Sequence, residues 1–126
     1  AGDVDTAAVM LQTASGKICQ ISNSRRATYG YDQRVEVHGS KGMLRADNML
    51  ESSVEVATED GFRRAPAQHF FLERYSEAYR LEMVHFIEAT KAGVQPSPNI
   101  EDGLKAQMLA DAAATALATG QPQRIA

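Results

Sequence analysis

Tryptophan is absent from these 126 residues, cysteine occurs once and proline four times. Each shortage excludes a class of protein. A single cysteine, Cys19, cannot form an internal disulfide, so the chain is no stapled secreted scaffold and fits a reducing compartment. Its place in an alternating apolar run reads as a small buried hydrophobe. No apolar run approaches the ~18 residues of a membrane span, and the opening AGDVDTAAVM lacks the basic segment of a signal peptide. These points read as a cytoplasmic protein. A formal net charge of −3 leaves no footprint for nucleic acid or for a polybasic membrane anchor. Neither GxGxxG nor GxxxxGK[ST] occurs, so no nucleotide site is visible, and GSKG at Gly39–Gly42 is better explained as a hairpin turn. His38, His69 and His85 show neither HExxH nor Cys/His spacing, so no metal site is expected.

The length suits about one domain. From Asp5 to Thr13 the run DTAAVMLQT alternates as a strand, and KICQISNS returns after the turn at Ser15-Gly16. DQRVEVHG alternates sharply, with Val35 and Val37 on one face and Arg34, Glu36 and His38 on the other. MLRAD follows the Gly39–Gly42 turn, and SVEVATE precedes Asp60-Gly61, a strong hairpin dipeptide. The period then changes near Phe70. Leu72, Tyr75, Tyr79, Met83 and Phe86 recur at three- and four-residue steps, which predicts one helix of about six turns ending at Gly93. VQPSP cannot continue it, and Asn99 with Asp102 supplies a capping-box start for a second helix ending at Gly120. The expected fold is α+β: an open antiparallel sheet of about five or more strands, with two C-terminal helices packed on one face. Two helices cover one sheet face, so the other is expected to meet solvent or a second copy of the chain.

The connection SNSRRATYGYDQRVEV, Ser22–Val37, is unusually rich in hydrogen-bonding side chains. Arg25-Arg26 reads as solvated charge. Tyr29 and Tyr31 flank a glycine at the entrance to a strand, and Asp32 and Gln33 follow at once. A polyhydroxylated ligand needs several such groups, because each desolvated hydroxyl left unpaired costs about 1–3 kcal/mol. Tyr31, Tyr29 and Asp32 are therefore the candidate substrate-binding residues. The aromatic side chains of the first helix read more simply as core or interface.

The tract SNSRRATYGYDQRVEVHGSKGMLRADN, followed by FLERYSEAYRLEMVHFIEA and EDGLKAQMLADAAATALATGQPQRI, resembles the C-terminal part of bacterial inositol 2-dehydrogenases of the Gfo/Idh/MocA oxidoreductase family. The resemblance runs along nearly the whole chain, and the YGYDQR tract is its most specific part. It implies that residues 1–126 are a C-terminal substrate and oligomerisation domain cut from a longer protein whose N-terminal Rossmann domain binds NAD. Ala1 in place of methionine, with a strand pattern beginning within a few residues, agrees with such a piece. The family's EKP lysine and DxxxH pair match no position here, so no catalytic residue is assigned, no cofactor is expected on this chain and the isolated chain should be inactive. The resemblance places Tyr31 in an inositol pocket, with weaker claims for Tyr29 and Asp32. It also implies a homo-oligomer through the sheet face. Two other readings stand beside it: a stand-alone oligomerisation or scaffold domain, and a non-catalytic polyol-binding module.

Overall fold

A computed structural model describes residues 4–125. Six strands precede three helices: β1 Thr6–Gln12, β2 Ile18–Ser24, β3 Val35–Gly39, β4 Gly42–Ala46, β5 Glu55–Thr58, β6 Gly61–Arg64, α1 Phe71–Arg74, α2 Ser76–Ala92 and α3 Ile100–Thr119. The mixed α/β composition agrees with the sequence. The single sheet of five or more strands is not found among the described residues, where the strands pair β1 with β2, β3 with β4 and β5 with β6. The alternation that marks a strand locally does not say which strands lie side by side, whereas tight turns do dictate that neighbours pair.

Contacts divide the chain into two compact units. One holds the described residues up to Ala7 with Ser22–Arg80, and the other holds Ala8–Ile21 with the chain from Leu81 onward. In the first unit the β3–β4 hairpin is in antiparallel register with Val35 opposite Ala46 and Gly39 opposite Gly42. Directly opposed residues share a face. Glu36 and Arg45 therefore lie on a charged face with His38, and Val35, Val37, Leu44 and Ala46 form the apolar one. That apolar face is uncovered, with Val37 53% and Leu44 75% exposed. Hairpin β5–β6 pairs Glu55 with Arg64 across the strands, and their side chains form an exposed ion pair at 2.7 Å.

The six-turn helix predicted from the apolar period is interrupted. Tyr75 lies between α1 and α2 with φ −108° and ψ 10°, outside helical geometry, while its N–H still bonds to Phe71 O at 2.8 Å. In the second unit α3 begins as the sequence predicts. Asn99 Oδ1 accepts from the Glu101 and Asp102 amides at 2.8 and 3.2 Å, and Asp102 accepts from the Asn99 amide at 2.9 Å. Gly120 ends it in the left-handed conformation, φ 65°, and donates its N–H to Ala116 O.

Among the described residues Ala89 alone is buried, at 5% exposure. Cys19, expected inside, is exposed on β2, a strand whose every residue is exposed. The accessible surface is 11172 Å². Even two separate compact bodies of half this mass would expose only about 8,000 Å². Large apolar side chains are part of that exposed surface: Met83, Phe86, Ile100, Leu104 and Leu117 on the helices are all exposed. No described helix is long and apolar enough to cross a membrane.

Candidate functional site

The polar tract of the sequence is held at its root by backbone. Residues 27–30 make a turn, closed by Gly30 N–H to Ala27 O at 3.3 Å. The next amide, Tyr31 N–H, donates to Gln68 O at 2.8 Å. Residue 68 belongs to a segment that is itself paired to residues 49–51, through Glu51 N–H to Pro66 O and an antiparallel bridge between Leu50 and Ala67. Gly30 has φ +121°, and a Cβ there would lie 2.9 Å from Gln68 O and 3.0 Å from the Ala67 Cβ. Glycine is thus required at this position for two reasons, backbone conformation and closeness of approach.

From this root the side chains divide into two sets. In the first, Asp32 accepts three hydrogen bonds. Tyr29 donates its hydroxyl to Oδ2 at 2.7 Å, and Arg34 donates Nε to Oδ1 at 2.9 Å and Nη2 to Oδ2 at 2.8 Å. The Asp32 side chain is only 15% exposed, and Tyr29 lies at the surface. The hydrogen bond to Asp32 holds the Tyr29 phenol above its ordinary value.

In the second set, Tyr31 meets Tyr75 from the helix break. The rings contact edge to face with centroids 5.5 Å apart, and Tyr31 Oη donates to Tyr75 Oη at 3.4 Å. Tyr75 in turn donates to Gln33 Oε1 at 2.5 Å. Its phenol is held above the ordinary value, first by the hydrogen bond with Tyr31 and then by partial burial. The Arg74 guanidinium lies 5.3 Å from the centre of the Tyr75 ring. Nearby hydrogen-bonding capacity is unspent: Arg74 Nε and Gln68 Oε1 are both buried without a partner.

The structure therefore brings Tyr29 and Asp32 together, and places Tyr31 with a different pair, Tyr75 and Gln33. Tyr75 was read from sequence as one aromatic of an apolar helix face. It sits at a break in that helix and its hydroxyl reaches Gln33, and periodicity carries no sign of the break. A groove of about 330 Å³ lined by Arg34, Val35, Glu36, Arg45 and Asp47 lies along the charged side of β3–β4. Its arginines are matched by carboxylates, with Arg45 on Asp47 at 2.8 Å, so it offers no net charge to a ligand. Among the described residues no group of three His, Cys, Asp or Glu side chains is placed to hold a metal ion.

Alkaline titration tests this arrangement without a ligand. Tyr29 and Tyr75 are both expected to ionise above the ordinary phenol value of about 10. A phenol whose folded pKa is raised contributes stability that is complete below the unfolded value and is lost as pH climbs through the folded one. Absorbance at 295 nm should show a late component that Tyr29→Phe and Tyr75→Phe each diminish. A single transition at the ordinary value would contradict both hydrogen bonds.

Known proteins are similar to this chain in sequence and in fold. A family model described as the oxidoreductase family C-terminal alpha/beta domain matches residues 1–125. An inositol 2-dehydrogenase of Rhizobium meliloti is 56% identical over 118 residues, 94% of this chain and 36% of that protein. A myo-inositol 2-dehydrogenase of Thermotoga maritima is 50% identical over 117 residues, 93% of this chain and 35% of that protein. The crystal structure of a myo-inositol dehydrogenase from Corynebacterium glutamicum superposes with a TM-score of 0.87 at 42% identity, covering 93% of this chain and 35% of that one. The chain spans about a third of the length of the curated relatives it matches.

Proposed function

The chain belongs to the Gfo/Idh/MocA oxidoreductase family, whose C-terminal α/β domain it matches, and from that premise we propose that it is the substrate-side domain of an NAD-dependent inositol 2-dehydrogenase. The whole enzyme would oxidise one ring hydroxyl of myo-inositol, or of a related polyol, to a ketone. Within it this domain would bind and orient the polyol, and its exposed strand face would meet a second copy of the chain.

The observation that carries the reading is the meeting of Tyr31, Tyr75 and Gln33 on a backbone that Gly30 fixes. These are neutral donors and acceptors close together, suited to a neutral ligand with many hydroxyls. The names of the similar proteins support the same substrate class. Tyr31 is proposed to bond a ring hydroxyl, with Tyr29 and Asp32 supporting the tract beside it. The oligomer is supported by the uncovered Val37 and Leu44 and by the excess of exposed surface over what compact bodies of this mass require. A cytoplasmic setting suits the one unpaired cysteine.

The described residues do not fit the dinucleotide itself. All six strands precede all three helices, so no helix leads into a following strand as a βαβ phosphate-binding unit requires. NAD would be held by other parts of the enzyme, and the residues here would contribute orientation of the polyol.

The test uses the protein encoded by the complete reading frame that contains these residues. NADH formation is followed with myo-inositol, its stereoisomers and a panel of hexoses, and an inositol is expected to give the highest kcat/KM. The 126-residue chain alone should leave NADH fluorescence unchanged. Failure of the whole protein to bind or oxidise any polyol would overturn the reading, as would saturable NADH binding by the chain alone.

A further inference from the structure

Asn48 lies at the point where backbone pairing of β3 with β4 stops. The last pair in the ladder is Val35 with Ala46, and the same register continued two places sets Gln33 opposite Asn48. There the side chain replaces the strand. Asn48 Oδ1 accepts the Gln33 N–H at 3.1 Å, and Asn48 Nδ2 donates to Tyr31 O at 3.0 Å. One side-chain amide thus holds the backbone on both sides of Asp32, using its acceptor on one and a donor on the other. The two residues it holds, Tyr31 and Gln33, are those whose side chains reach Tyr75. The bonds close a circuit running from Asn48 through Tyr31, Tyr75 and Gln33 back to Asn48.

We propose that Asn48 is a positioning residue for polyol binding, fixing through the backbone of Tyr31 and Gln33 the distance at which the Tyr31 and Tyr75 hydroxyls face a ligand. This rests on the polyol reading above and adds a residue to it that does not itself touch the ligand. The chemistry demands an amide. Alanine offers neither bond. An ionised aspartate keeps the acceptor for Gln33 N–H but turns a second anionic oxygen against the Tyr31 carbonyl. A protonated aspartic acid restores the pattern, with its O–H donating to Tyr31 O and its carbonyl accepting from Gln33 N–H.

That last property separates positioning from mere support. In the complete protein, calorimetric titration with myo-inositol at pH 7.5 is expected to show affinity weakened about ten-fold or more in Asn48→Ala and Asn48→Asp. Lowering the pH to about 4, the ordinary range of an aspartic acid, should recover part of the loss in Asn48→Asp and none in Asn48→Ala, because only the aspartate takes up the missing proton. Without ligand, the late phenol ionisation of Tyr75 should move back towards its ordinary value in both variants. The nearly isosteric Asn48→Asp keeps the test open should Asn48→Ala fail to fold. Unchanged affinity and unchanged Tyr75 titration, with only a lowered Tm, would overturn the proposal. If the unaltered protein ignores myo-inositol, the polyol reading fails by itself, and the Tyr75 titration still decides whether Asn48 sets the tyrosine geometry.

Discussion

Tyr31→Phe is expected to lower kcat/KM for the polyol about 5- to 150-fold in the complete enzyme, while the cofactor's KM stays nearly constant. The range follows from about 1–3 kcal/mol for removing one partner from a desolvated hydroxyl. The structure explains why the change should appear in kinetics and hardly in stability. The edge-to-face ring contact with Tyr75 is one a phenylalanine also makes. The hydrogen bond lost within the protein is the 3.4 Å contact to Tyr75, long for a hydroxyl pair, and Tyr75 keeps its shorter bond to Gln33, so the cost to folding should be small. Tyr29→Phe is the internal comparison. It removes one of three bonds to Asp32 and leaves the two from Arg34, so its effect on polyol turnover should be smaller. Steady-state kinetics beside thermal melts decide the matter: intact inositol kinetics with a fallen Tm would make Tyr31 structural.

Gly30→Ala should be more damaging to the fold. A backbone at φ +121° costs an L-residue about 1–3 kcal/mol, and forcing a methyl into filled space typically costs a similar amount again. The obstruction here is the Gln68 carbonyl, 2.9 Å from the new carbon, together with Ala67. That carbonyl cannot withdraw freely, because it accepts the Tyr31 amide. The expected loss is about 2–5 kcal/mol in urea denaturation, with weaker polyol binding because the root of Tyr31 is displaced. Gly16→Ala provides the contrast. Gly16 has φ +81° with nothing within 4 Å of the added carbon, so the conformational cost stands alone and the loss should be smaller. Equal losses in the two variants would show that close packing at Gly30 contributes nothing.

Much of the local structure was legible because it depends on neighbours in sequence. The alternation in DQRVEV, the turn at Asp60-Gly61 and the Asn99–Asp102 cap each became the element expected of it. What strand period could not supply was the order of strands across a sheet, and among the described residues the strands pair as hairpins and not as the anticipated single sheet. The site divides in the same way. YGYDQ announced a hydrogen-bonding cluster because its polar groups are adjacent in the chain. Tyr75 and Asn48 reach that cluster from 44 and 17 residues beyond Tyr31, separations at which no periodicity operates. Asn48 in particular looks like an ordinary loop residue until the end of the β3–β4 ladder is located.

Among the described residues the strands pair only two by two, which leaves each with one side unbonded there, and an unbonded strand edge invites another chain to add to it. Most of these edges carry charges that discourage addition: Glu36 on β3, Arg45 on β4, Glu55 on β5, and Arg63 with Arg64 on β6. Hairpin β1–β2 has no such gatekeeper. TAAVMLQ and ICQISNS contain no Asp, Glu, Lys or Arg, and Met10, Ile18 and Ile21 are exposed along them. During synthesis or after partial unfolding, this hairpin is where misassembly between copies would start, and a single lysine at an outward position such as Gln20 would be the economical way to suppress it.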